Sequence, residues 1–151
     1  MSHIRIIVAD QAEAIFYDLS SLKAHPIEVA RMSDPAAHLH DRDFSSDRPG
    51  RSYESFGKAR HAIEGENDPR RREAVKFAKA IATRLDQDRR KKEYEQLIVV
   101  AAAPFRSLMR TEFSTDTAAC VVHEVPKDLV HSPVEVLCEH LPTTAQELKS
   151  A

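Results

Sequence analysis

The run Leu97-Ile98-Val99-Val100-Ala101-Ala102 decides the fold. It is unbroken and apolar, and such a run reads as a strand buried on both faces, as in a parallel sheet. Upstream, Asp68-Pro69 is a strong helix start, because Asp caps free N–H groups and Pro at the first helical position loses nothing. Ala74, Phe77, Ala78, Ile81 and Leu85 follow at helical spacing and make one apolar stripe. Arg89, Arg90, Lys91 and Lys92 close that helix with charges that suit its dipole. Downstream, Pro104 opens a short helix, and residues 118–125, AACVVHEV, read as the next strand, ended by Pro126-Lys127-Asp128. The pattern is β–α–β–α.

Further out, Ser132-Pro133 starts a last amphipathic helix through Val134, Leu137, Cys138 and Leu141, with Ser132 and Glu135 spaced as a capping box. At the other end, Ile4, Ile6, Ile7 and Val8 form one strand-like run and Ala14, Ile15, Phe16, Tyr17 and Leu19 another. The short polar break at Asp10, Gln11 and Glu13 makes them a hairpin. Residues 22–32 supply a third strand, with Pro26 at an edge or bulge because it cannot donate to a ladder. Asp34-Pro35 suits a turn. The expectation is therefore an α/β fold: a single domain over residues 1–142, antiparallel strands first and parallel βα units after, with residues 143–151 a frayed tail.

The chain has 151 residues, enough for one domain with a real core. At 42% hydrophobic and 30% charged it reads as globular, and a net charge of −2 argues against a uniformly basic nucleic-acid binder but leaves room for a local basic patch. No run approaches the roughly 18 apolar residues of a spanning helix. The N-terminal apolar run stops at Asp10, as a first strand would and a signal peptide would not. A cytoplasmic protein without membrane insertion is expected. Cys120 and Cys138 lack any Cys-x-x-Cys pattern and read as two reduced, buried thiols.

Residues 41–73, DRDFSSDRPGRSYESFGKARHAIEGENDPRRRE, hold all three glycines and much of the arginine. The polar loop at 41–68 is longer than compact domains carry unless it is functional or disordered. Arg48, Arg51, Lys58 and Arg60 fall close together with Glu54 the lone acid between them, and Tyr53 and Phe56 are interleaved. Arg forks grip phosphate or carboxylate, and aromatics stack on bases. Arg70, Arg71 and Arg72 open a helix at the end where the dipole disfavours cations, which suggests retention for an anionic partner. The opposing reading pairs these charges with Asp41, Asp43, Asp47, Glu64 and Glu66 to fix the loop.

For catalysis the signals are thin. Glycine is too scarce for a phosphate-cradling loop, and no Gly-x-Ser-x-Gly elbow occurs. A metal-dependent nuclease would need converging carboxylates, but the run at 97–102 ends in alanines, so Asp10 reads as a turn residue. His38, His40, Asp41 and His61 have unspecific spacing, and no physiological metal or other cofactor is expected.

The segments IRIIVADQAEAIFYDL (4–19), SDRPGRSYESFGKARHAIEGENDPRRREAVKFAKAIATRL (46–85) and LIVVAAAPFRSLMR (97–110) resemble the bacterial host attachment proteins, a family described as required for attachment to host cells. The resemblance covers nearly the whole chain. One departure is Arg106-Ser107, where that family tends to have a Leu-Gly pair. The family is similar in turn to the middle domain of eukaryotic and archaeal peptide-release factors, which implies a ribonuclease H-like topology and an association with translation. The Gly-Gly-Gln loop of peptide release is absent, since no two glycines are adjacent.

These readings converge on a non-enzymatic domain, with no catalytic residue assigned, that binds RNA or the ribosome and acts indirectly on attachment. Arg48, Arg51, Lys58, Arg60 and His61 would line the surface, with Arg110 and Lys127 adding to it. One alternative is a small-molecule or hydrolytic enzyme using the crevice beyond the carboxyl ends of the parallel strands, with Asp10, His61 and Arg110 as its residues. Another is a protein-interaction or self-association module with an exposed apolar patch.

Overall fold

A computed structural model describes residues 3–34 and 68–148. Strands β1 (Ile4–Ala9), β2 (Glu13–Leu19) and β3 (Ile27–Ser33) come first. Helix α1 (Pro69–Arg90), strand β4 (Gln96–Val100), helices α2 (Phe105–Glu112) and α3 (Thr115–Ala119), strand β5 (Val121–Val125) and helix α4 (Val134–His140) follow. The strands form one mixed sheet in the order β3-β2-β1-β4-β5. β1 pairs antiparallel with β2 and parallel with β4. β2 pairs antiparallel with β3, and β4 parallel with β5.

Central placement explains the uninterrupted apolar runs. Every residue of β1 is buried, and so is β4 from Leu97 to Val100. Alternation along β1 sends Ile7 and Ala9 into a core with Phe77, Ala78, Ile81 and Leu85 of α1. Ile4, Ile6 and Val8 go into a second core, shared with Leu137 of α4. The sheet is thus covered on both faces, as its parallel half requires.

Arg5 shares the α1 face with Ile7, and the last turns of α1 bring Asp88 to it at 2.6 Å. Asp68 caps α1 by accepting from the Arg70 N–H at 3.0 Å, and Pro69 follows at the first helical position. The hairpin turn is held by Asp10, whose Oδ1 accepts from the N–H groups of Ala12 and Glu13 at 2.8 and 2.7 Å. This is the turn role expected of it.

Several sequence expectations are corrected. The segment expected as a strand from residue 118 begins as helix: Ser114 Oγ accepts from the Thr117 N–H at 3.0 Å and caps α3, so β5 starts only at Val121. Cys120 is therefore the C-cap of α3 and not a strand residue. The run expected to extend to Ala102 leaves the ladder after Val100, although the Ala101 N–H still reaches the Val125 carbonyl at 3.1 Å. The third strand begins at Ile27 and not at residue 22, with Pro26 just before this edge strand. The Ser132–Glu135 box does not form, because α4 starts at Val134 with Pro133 as its N-cap and Ser132 lies one residue outside. A capping box forms instead in the tail, where Thr144 and Glu147 close a 3-10 turn over Ala145–Glu147.

Candidate functional site

The carboxyl edge of the sheet gathers the features with functional chemistry. Ala9 ends β1 and Ala102 and Ala103 follow β4, so the two central parallel strands present only methyl groups there. The missing side-chain volume leaves a cleft of about 480 Å³. Pro104, Phe105 and Leu108 wall it on the α2 side, and Asp128 and His131 on the side of the connection from β5 to α4. This is the edge at which open α/β sheets place ligands. Asp10 spans turn and cleft: one carboxylate oxygen holds the hairpin, while the other lies 3.9 Å from His131 Nε2. Asp128 is exposed and engages no other group among the described residues.

Helix α1 carries charge to the same edge. It runs against β1: Asp88 meets Arg5 near the start of the strand, and the Phe77 ring lies 6.1 Å from that of Phe105 beyond its end. At 1.5 Å rise per residue, the first turn overhangs the edge by roughly 10 Å. Arg70, Arg71 and Arg72 occupy that turn and are exposed. The chain also leaves the described fold here, since the Asp34 N–H donates to the Ala12 carbonyl at 2.8 Å, and it returns at Asp68 at the head of α1.

Arg48, Arg51, Lys58, Arg60 and His61 belong to the segment between those two points and lie outside the described residues, as do His38 and His40. Arg110 is half-buried on α2, ion-pairs with Glu124 of β5, and holds its guanidinium 6.0 Å from the Phe113 ring centroid. Arg106 joins Glu124 at 3.4 Å. Lys127 is exposed just after β5. The structure therefore separates Arg110 from Asp10: Asp10 lines the cleft and Arg110 does not. The closing cations of α1 are partnered in part, with Arg89 and Arg90 both at 2.9 Å from Asp86. Among the described residues no group of three or more His, Cys, Asp and Glu side chains is arranged to hold a metal. Both thiols are free and half-buried, and burial pushes the pKa of each upward.

Sequence reasoning missed Asp128 and His131. The available signal was their position after a parallel strand's carboxyl end. It also took the alanines at 101–103 only as missing acids, when their small size is what opens the cleft.

Fold and edge together define a mixed α/β domain with an open cleft at the carboxyl ends of its central parallel strands. The family model described as "Protein required for attachment to host cells" matches residues 5–141, and the chain belongs to that family. A search of curated proteins found no match. A solved structure titled "Archaeal protein" is similar at a TM-score of 0.46 and 10% identity, over 91% of this chain and 36% of that one. This chain thus spans little more than a third of that protein's length, and a likeness at that level carries no argument about function. Among the described residues no helix is long and apolar enough to cross a membrane.

Proposed function

We propose that this host attachment family member is a non-enzymatic cytoplasmic domain that binds an anionic partner, RNA or an RNA surface of the ribosome, and influences attachment indirectly. The observation that carries the proposal is the exposed Arg70-Arg71-Arg72 turn overhanging the carboxyl edge. Three cations at a helix N-terminus oppose the macrodipole, a cost that a bound polyanion offsets. Arg48, Arg51, Lys58, Arg60 and His61 lie in the sequence between Asp34 and Asp68, outside the described residues, and in this reading they add their charge to that of the arginine turn. Lys127 adds to it from the β5 side, and Arg110 acts from the Glu124 pair. The strand order β3-β2-β1-β4-β5, with β2 antiparallel to both its neighbours, supports a ribonuclease H-like topology of the release-factor middle-domain kind.

The test is fluorescence anisotropy of a labelled single-stranded RNA between about 50 and 200 mM salt, where each neutralised phosphate contributes about −0.7 to the slope of log K against log salt. Arg51→Ala and Arg71→Ala should each weaken binding and flatten that slope by roughly one phosphate. Absent binding, or binding insensitive to salt and to both substitutions, defeats the proposal.

A further inference from the structure

We propose that the cleft beside Asp10 is a base pocket, which takes one nucleobase splayed out of a single-stranded RNA whose phosphates lie on the arginine turn. The inference rests on the RNA reading above and adds what the polyanion inserts.

Three observations support it. First, the cleft holds about 480 Å³, within the range of about 300–1,000 Å³ usual for small-molecule sites and large enough in volume for a purine. Second, among the described residues its lining contains no Lys or Arg, which favours an occupant other than a phosphate. Its charged groups are the carboxylates of Asp10 and Asp128, which accept hydrogen bonds and do not donate them. The Gln11 amide and the His131 ring can both donate and accept, so the groups that engage the two carboxylates are N–H donors of the occupant. Third, the walls at Pro104, Phe105 and Leu108 are apolar, which suits a flat heterocycle, and unstacked bases are what proteins read in single-stranded RNA. Such an occupant joins the acidic cleft to the cationic turn at the same edge, because a nucleotide carries N–H donors at one end and a phosphate at the other.

The donor pattern selects among bases. Guanine presents a ring N–H and an amino N–H side by side, matching the two oxygens of one carboxylate. Adenine and cytosine offer an amino group without the adjacent ring N–H, and uracil a single ring N–H. Asp10 has one oxygen committed to the Ala12 and Glu13 N–H groups, whereas Asp128 engages no other group among the described residues. The guanine edge is therefore assigned to Asp128, on the wall it shares with His131.

The experiment compares two labelled oligonucleotides of equal length, oligouridine and the same chain with one central guanosine, by anisotropy against the full-length protein. The guanosine is expected to tighten binding about ten-fold, the worth of a charge-assisted hydrogen bond. Asp128→Asn, nearly isosteric at an exposed position, should erase that preference and leave the salt-dependent binding of oligouridine unchanged. Ala103→Leu, which fills the cleft from an exposed connection, should do the same. Equal affinity for both oligonucleotides, or a guanosine preference that survives both substitutions, overturns the base pocket while leaving RNA binding intact. No binding of either oligonucleotide by the wild-type protein overturns both proposals.

Discussion

Asp88→Ala should destabilise the fold far more than Arg5→Met, although the two residues share an ion pair. Arg5 is 1% exposed and Asp88 4%, and they meet at 2.6 Å under the last turns of α1. Burial works against the guanidinium charge, but hydrogen bonds to Asp18 and Asp88 outweigh it and raise the Arg5 pKa. Removing one partner of a buried pair costs about 3–5 kcal/mol, because the survivor is left charged and dry. After Asp88→Ala, Arg5 still has Asp18 at 2.5 Å and Glu93 at 3.5 Å, but these are 36% and 45% exposed, which places the loss near the low end, about 3 kcal/mol. For a chain of this size that corresponds to about 6–12 °C in melting temperature.

Arg5→Met leaves a different remainder. Asp88 keeps Arg84 at 2.9 Å, Asp18 and Glu93 turn to solvent, and Met stays packed on the Tyr94 ring, which Arg5 faces at 5.4 Å. The loss should be about 1–2 kcal/mol. The assay is urea unfolding followed by far-UV circular dichroism, with the double variant completing a mutant cycle. An Arg5→Met loss equal to or larger than that of Asp88→Ala would refute the reasoning, since Arg84 would then not be holding Asp88.

Arg71→Glu should stabilise α1 by about 0.3–1 kcal/mol through the dipole while weakening RNA binding, read by thermal melts and anisotropy on the same preparation. Tyr94→Phe removes the hydroxyl that donates to the Leu85 carbonyl at 2.7 Å and should cost about 1 kcal/mol in a urea titration. In the wild type, burial pushes the Tyr94 phenol pKa well up, so tyrosinate absorbance from it should appear only as the protein unfolds in alkali. Hydrogen bonds from Arg89 and then Ser114 hold Asp86 below the usual carboxylate range. Its stabilisation is therefore complete above the unfolded value near about 4 and is lost as pH falls through the lower folded value; Asp86→Asn should flatten the acid limb of a stability profile taken from pH 7 downward.

Part of the candidate site was legible because it rests on local chemistry. Asp10 in a short polar break between two apolar runs is a turn residue by its own side chain, and its carboxylate does bind the two N–H groups that follow. Asp68-Pro69 starts α1 for reasons contained in two residues. The cleft is different. Ala102, Ala103, Asp128 and His131 are distant in sequence and acquire meaning only when β4 and β5 align beside β1, so no spacing rule connects them. Arg110 looked available as a cation in the sequence, yet the fold places Glu124 against it.

The sequence by itself determined which segments are strands and helices wherever apolar periodicity ran through a whole element, as in β1, β4 and α1, because a helix or a strand has one period and burial enforces it. It also determined the family. The tertiary structure alone decided the sheet order, the shorter β5 that follows the Ser114-capped helix, the pairing of Arg5 with Asp88, and the packing of α1 against β1. Those features depend on contacts between residues far apart in the chain, whose free energy exists only once the sheet has formed.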